Sequence, residues 1–213
     1  MTTALHSLGQ HTLVALELMA TAAFALSGVV SALRKRFDIV GVCVCGFLAA
    51  FGGGTLRDLL IDRRPFFWVE HQSVLLGILV LCVLSASVLR QQHIEETRKS
   101  LQLPDAVGLG LFCATGVHLS YSAGQPTLVA ILMGTITGAF GGVLRDLVCN
   151  EIPALFRDHR PYALCAFAGG MAYTLTIWLG QPDSSAIAAC ALITTGLRCL
   201  TLWFDWQLPS QDP

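Results

Sequence analysis

Charge is scarce in this chain. Of its 213 residues only 13% are Asp, Glu, Lys or Arg, whereas 54% are apolar. An ordinary soluble domain has about 25% charged residues, so a water-soluble fold is excluded and an integral membrane protein is implied. Net charge is missing as well. A formal value of -1 gives no general attraction to nucleic acid. The six histidines show no ligand spacing, and only His118 falls in an apolar segment. No nucleophile, base and orienting group stand at usable spacing, so neither catalysis nor a resident cofactor or metal is expected. Lys and Arg are also absent before the first apolar segment, while Arg34, Lys35 and Arg36 follow it. That is the reverse of a cleaved signal peptide. Cysteine is not scarce, but Cys43, Cys45, Cys82, Cys113, Cys149, Cys165, Cys190 and Cys199 all lie in or beside apolar segments. There cysteine acts as a small buried hydrophobe. Cys43 and Cys45 point about 200° apart on a helix, a poor metal or redox site.

What remains is length of apolar chain. A helix crossing roughly 30 Å of hydrocarbon needs about 20 mostly apolar residues. Seven segments come close: about 13–33, 39–60, 73–90, 105–121, 127–149, 161–180 and 184–204. The expected fold is therefore all-α, a single polytopic membrane domain of seven transmembrane helices. The charged stretch from Arg90 to Lys99 is the only connection long enough to separate two halves. Sorted by face, three basic residues (Arg57, Arg63 and Arg64) fall on one side and the other ten on the side of the C-terminus. The excess of positive charge in cytoplasmic loops then predicts a periplasmic N-terminus and a cytoplasmic C-terminus in the plasma membrane.

The chain repeats itself. Gly53-Gly54-Thr55-Leu56-Arg57-Asp58-Leu59 returns 88 residues later as Gly141-Gly142-Val143-Leu144-Arg145-Asp146-Leu147. The same offset pairs Phe24 with Phe112, Gly28 with Gly116, Val29 with Val117, Gly46 with Gly134 and Pro65 with Pro153. Each copy holds three spans, about 13–90 and 105–180, and the seventh span at 184–204 stands alone. Three is odd, so the second copy enters the membrane from the opposite side. Such inverted repeats meet near the midplane in many transporters.

Glycine weakens a helix by about 1 kcal/mol relative to alanine, and adjacent glycines favour kinks. Gly52, Gly53 and Gly54 in span 2, and Gly138, Gly141 and Gly142 in span 5, therefore predict broken helices. Irregular backbone at membrane depth must be covered by protein or face a water-filled cavity. The plainer alternative is that these glycines only let helices approach closely. The Arg57-Asp58 and Arg145-Asp146 pairs would stand near the outer and inner mouths of a conduit between the breaks. There the aspartates concentrate cations while the arginines hold them or bind lipid phosphate; the alternative is an ion pair that anchors a helix end. Ser27, Thr55, Thr115, Thr135 and Thr137 could line a polar path, although hydroxyls bonded back to their own helix are an equal reading. Glu17 and Asp105 occupy matched positions, with Asp105 read as a helix cap.

These residues, the Gly-Gly-Gly-x-x-Arg-Asp segment and its inverted echo within seven spans, resemble the bacterial TRIC family. Its members are relatives of the trimeric intracellular cation channels and are also described as glycine transporters. The resemblance covers about residues 13–204. It implies a homotrimer in a lipid bilayer, with a pore in each subunit, kinked at the glycines, that passes K⁺ in preference to Na⁺. Two departures stand out. Phe140 replaces a third glycine in the second cluster, and Arg57-Asp58-Leu59 stands where the animal channels carry a lysine-containing lipid motif. The Thr-Val-Gly-Tyr-Gly filter of K⁺ channels is also absent, so only modest selectivity is expected. The competing expectation is a secondary transporter of a small zwitterion such as glycine, because helix N-termini at a break suit a carboxylate.

Overall fold

The computed structural model describes residues 2–88, 102–157 and 160–207. The linker from Arg90 to Lys99, with its basic residues, and His159 lie outside them. Nine helices are found among the described residues: α1 (Thr2–Arg34), α2 (Ile39–Leu60), α3 (Phe67–Glu70), α4 (Gln72–Val88), α5 (Gln102–Ser122), α6 (Thr127–Val148), α7 (Ala154–Arg157), α8 (Ala163–Trp178) and α9 (Asp183–Trp203). The seven anticipated spans fall on the long helices, and α3 and α7 are single turns. Residues Thr12–Arg34 of α1, together with α2, α6 and α9, are long and apolar enough to cross a membrane. Helices α4 and α8 are apolar but shorter, at 17 and 16 residues.

Apolar side chains cover the outside as well as the core. Leu76, Leu84, Leu128 and Leu192 are exposed on α4, α6 and α9, and Trp178 and Trp203 are exposed at the ends of α8 and α9. A surface of this kind suits hydrocarbon, with tryptophans at the level of the headgroups.

The 88-residue echo is repeated in the packing. Helix α1 packs on α2 as α5 packs on α6, α2 on α4 as α6 on α8, and α1 on α4 as α5 on α8. The matched crossings use the same residues. A methyl group on Gly28 would meet Gly46 and Ala49, and one on Gly116 would meet their counterparts Gly134 and Thr137, each within 3 Å. The turns match too. Asp62 at φ 54° follows α2, and Asn150 at φ 53° follows α6. Asp and Asn tolerate this left-handed conformation better than most residues. The next residue, Arg63 or Glu151, then donates its backbone N–H to Asp58 or Asp146 at 2.8 and 2.9 Å, the bond that closes such a helix end.

Between the two units, α2 crosses α6 and α1 packs on α5. The contact is reciprocal. A methyl group on Gly53 would overlap the Thr137 carbonyl, and one on Gly141 would overlap the Ala49 carbonyl. Thr137 is the counterpart of Ala49, so exchanging the units maps the contact onto itself, as a two-fold rotation does. Helix α9 packs on α5 and α8.

The glycine clusters do not break their helices. Each of α2 and α6 runs unbroken through 22 residues, so the expected breaks at Gly52–Gly54 and Gly138–Gly142 are corrected. The physical reason is backbone proximity: the missing side chains at Gly53 and Gly141 let the two helices touch main chain to main chain. Small residues serve this purpose widely in membrane helix packing.

Candidate functional site

The charged side chains expected near two mouths form two buried clusters. Arg57, in the last turn of α2, donates Nε–H to Asp58 Oδ1 at 2.8 Å. Its Nη2 lies 2.7 Å from Glu17 Oε1 of α1. Arg57 and Asp58 are wholly buried, and Glu17 is 4% exposed. Arg63, partly exposed, stands 3.6 Å from Asp58 and links the cluster to the surface. The second unit repeats the arrangement. Arg145 Nε donates to Asp146 Oδ1 at 2.8 Å and Nη1 to Asp105 Oδ1 at 2.9 Å. Asp105 is therefore not a cap; it lies within α5, at the position that Glu17 holds in α1. A guanidinium in hydrocarbon needs a partner, and the matched acids at 17 and 105 supply it.

The clusters differ in their finish. Arg145 Nη1 also donates to Ser27 Oγ of α1, and Asp146 Oδ2 accepts the Ala154 N–H at 2.8 Å. Among the described residues, Arg57 Nη1 and Asp58 Oδ2 have no hydrogen-bond partner. Beside Arg57 lies a cavity of about 10 Å³, bordered by Glu17, Thr21, Gly54, Thr55 and Phe112, room for about one water. On the other cluster, α9 adds a residue the sequence did not mark. The Arg198 guanidinium lies 4.6 Å from the Tyr162 ring centre and donates to the Pro161 carbonyl at 3.2 Å.

Between the clusters the units meet at an aromatic contact. Phe24 and Phe112 stack across the seam with ring centres 5.6 Å apart, packed with Ala20 and Ala49. Along α1 the first cluster touches Glu17 and the second touches Ser27, so ten residues, or about 15 Å of helix, separate them. Phe24 lies in that interval.

Three of the hydroxyls bond back to their own helices. Thr137 and Thr135 donate to the carbonyls of Met133 and Ile131 at 2.6 and 3.0 Å. Thr115 donates to Phe112 at 3.3 Å, and Thr55 accepts the Trp68 indole N–H at 3.2 Å. Of the anticipated polar residues, Ser27 alone is drawn into a charged cluster.

A duplicated bundle of apolar helices with a charged cluster on each unit is the architecture of a membrane protein built from repeats. The chain belongs to the family described as "Glycine transporter", whose family model matches it twice, at residues 14–90 and 102–178. The two matches stand at the offset of the internal repeat. The inner membrane protein YadS of Escherichia coli K12, of the UPF0126 group, is 34% identical over 196 residues, 92% of this chain and 94% of its own. Among solved structures, the TRIC trimeric intracellular cation channel orthologue from Rhodobacter sphaeroides is similar at a TM-score of 0.81 and 32% identity. The match covers 92% of this chain and 99% of that one. A further TRIC cation channel structure is similar at a TM-score of 0.83 and 32% identity, over 93% and 96% of the two chains.

Proposed function

We propose that this protein is a monovalent cation channel whose path runs between the two units, closed in the conformation described. One observation carries the reading: two repeat-related clusters, each with two carboxylates and one guanidinium, stand on either side of the Phe24–Phe112 stack. Each cluster sets two carboxylates around one buried guanidinium, with Arg63 at the edge of the first and Arg198 beside the second, and the carboxylate oxygens are the groups a passing cation would meet. The stack supplies an apolar barrier that must part before an ion passes. The solved TRIC cation channels of the same fold support this reading.

The finer assignment follows from the same elements. The seven long helices span the bilayer as two inverted three-helix units with α9 as an added seventh, the N-terminus periplasmic and the C-terminus cytoplasmic. Asp58 lies toward the outer mouth and Asp146 toward the inner mouth of a plasma-membrane protein. Opening separates α2 from α6 at their glycine crossing. K⁺ and Na⁺ are the permeant ions, passed with modest discrimination because no carbonyl filter is present in the sequence. Three copies assemble in the bilayer, as the name of the Rhodobacter orthologue suggests for that protein.

The test is K⁺ flux through proteoliposomes. The expected outcome is flux that rises without saturation at low concentration, with unitary steps, and is lost in Asp58→Asn and in Asp146→Asn while the variants stay folded. Unaltered conductance in both removes the carboxylates from the path. A second reading, a carrier of a small zwitterion, is favoured by the family's description as a glycine transporter. It requires saturable, competable glycine uptake without unitary currents.

A further inference from the structure

Two thiols meet across the seam between the units. Cys45 of α2 and Cys149, the residue that caps α6, hold their sulfurs 3.8 Å apart, and neither is in a disulfide. Helices α2 and α6 run in opposite directions through their crossing, since Ala49 faces Gly141 while Gly53 faces Thr137. One turn back along α2 therefore brings Cys45 to the C-terminal end of α6. Duplication does not account for this pair, because the repeat-related positions hold Met133 and Ile61. The thiols clasp only the end of the seam that carries Arg145 and Asp146.

A second pair, Cys113 and Cys190, is equally close at 3.7 Å. Both of its members are wholly buried, and the Cys113 thiol donates to the Ala166 carbonyl at 3.2 Å. Cys149 differs. It sits at the very end of α6, is 4% exposed, and is followed by the exposed Asn150. Of the four cysteines in the two pairs it is the most accessible.

We propose that Cys45 and Cys149 are an oxidation site, a dithiol that an oxidant of the peroxide class converts to a disulfide joining α2 to the end of α6. The Cys149 thiol gives up its proton and its sulfur attacks one peroxide oxygen; the O–O bond breaks, the departing hydroxide takes up that proton as water, and a sulfenic acid is left behind. The Cys45 sulfur then attacks the sulfenic sulfur, its own proton leaves with the displaced hydroxyl as a second water, and the S–S bond forms. Two thiols and one peroxide become one disulfide and two waters. The sulfurs close from 3.8 Å to about 2.05 Å. Cys149 donates its N–H to the Arg145 carbonyl at 3.0 Å, so the new bond ties α2 to the turn that holds the second charged cluster. On the channel reading, on which this consequence rests, the tie holds the path closed.

The test uses the full chain in proteoliposomes, exposed to hydrogen peroxide, alkylated with a maleimide in denaturant and digested without reduction. The expected result is a peptide linking Cys45 to Cys149 that forms before any Cys113–Cys190 link and is reversed by dithiothreitol. It is absent from Cys45→Ala and from Cys149→Ala. Recovery of both thiols as maleimide adducts from wild-type protein overturns the site, as does earlier formation of the Cys113–Cys190 link. In parallel, K⁺ flux falls on oxidation, recovers on reduction and is unaffected by peroxide in Cys149→Ala. Linked protein with unchanged flux overturns the tie. A reduced protein that passes no K⁺ counts against the channel reading, while the peptide map still decides the disulfide.

Discussion

Glu17 Oε1 lies 2.7 Å from Arg57 Nη2, inside the protein and between two helices that have few other charges to offer. The pair carries more than local weight, because Asp105 and Arg145 repeat it at 2.9 Å in the second unit. Duplication has kept an acid on the first helix of each unit facing an arginine on the second. In hydrocarbon that arrangement neutralises a charge which would otherwise cost about 2.5–3.5 kcal/mol.

Removing one partner strands the other. Breaking a buried ion pair by truncating one side costs about 3–5 kcal/mol, since an uncompensated charge stays behind. Glu17→Gln and Asp105→Asn are therefore expected to lower thermal stability in detergent sharply, and Glu17→Gln the more, because Arg57 has fewer alternative acceptors than Arg145. The check is the unfolding midpoint of each variant. Equal stability to wild type would show that the arginines find compensation elsewhere.

The glycine crossing makes a second expectation. A methyl group on Gly53 overlaps the Thr137 carbonyl, and backbone cannot swing aside as a side chain can. Gly53→Ala and Gly141→Ala should each destabilise the fold by about 1–3 kcal/mol through overpacking. Gly77, in the middle of α4, has nothing within 4 Å of an added methyl group. Gly77→Ala should be neutral or gain up to about 1 kcal/mol from helix propensity. Unfolding curves of the three variants separate packing from propensity.

Much of this was legible in the sequence, and the reasons for the rest are specific. Apolar length located the seven long helices, because hydropathy reads directly as helix in a membrane protein. The 88-residue offset matched Phe24 to Phe112 and Glu17 to Asp105 as repeat-related positions, without saying that the two rings touch. It could not say that the two acids reach Arg57 and Arg145, since a matched position carries no partner. The glycine clusters misled in one respect. Local propensity favours a break at Gly52–Gly54, but tertiary contact with α6 stabilises the continuous helix, and propensity alone does not register the neighbour. Cys45 against Cys149 was invisible for the same reason: in sequence the cysteines read as small buried hydrophobes and the Cys43-x-Cys45 spacing as a poor redox site, with nothing to show that Cys149 lies beside Cys45.

If the Phe24–Phe112 stack is the barrier, shrinking it should open a leak. Phe24→Ala and Phe112→Ala each remove one face of the stack at the seam, and basal K⁺ efflux from proteoliposomes should rise in both. The carboxylates of both clusters remain, and on the channel reading the leak should still favour cations over chloride, which a dilution-potential measurement reads. Efflux at the wild-type level in both variants would place the barrier elsewhere.

Ser27 and Thr115 occupy the same place in the two units, yet they do different work. Ser27 accepts a bond from the Arg145 guanidinium, whereas Thr115 bonds back to the Phe112 carbonyl of its own helix at 3.3 Å. Hydrogen bonds to charged groups contribute about 1.5–3 kcal/mol, and a neutral bond of ordinary strength about 0.5–1.5. Ser27→Ala should therefore lower the unfolding midpoint clearly more than Thr115→Val. It should do so more in an Asp105→Asn background, where Arg145 Nη1 is already short of acceptors and the two losses fall on one nitrogen. A double-mutant cycle on Ser27 and Asp105 measures that coupling. Strict additivity would mean that Ser27 and Asp105 do not act on the same guanidinium, and the asymmetry between the two clusters would then be one of geometry alone.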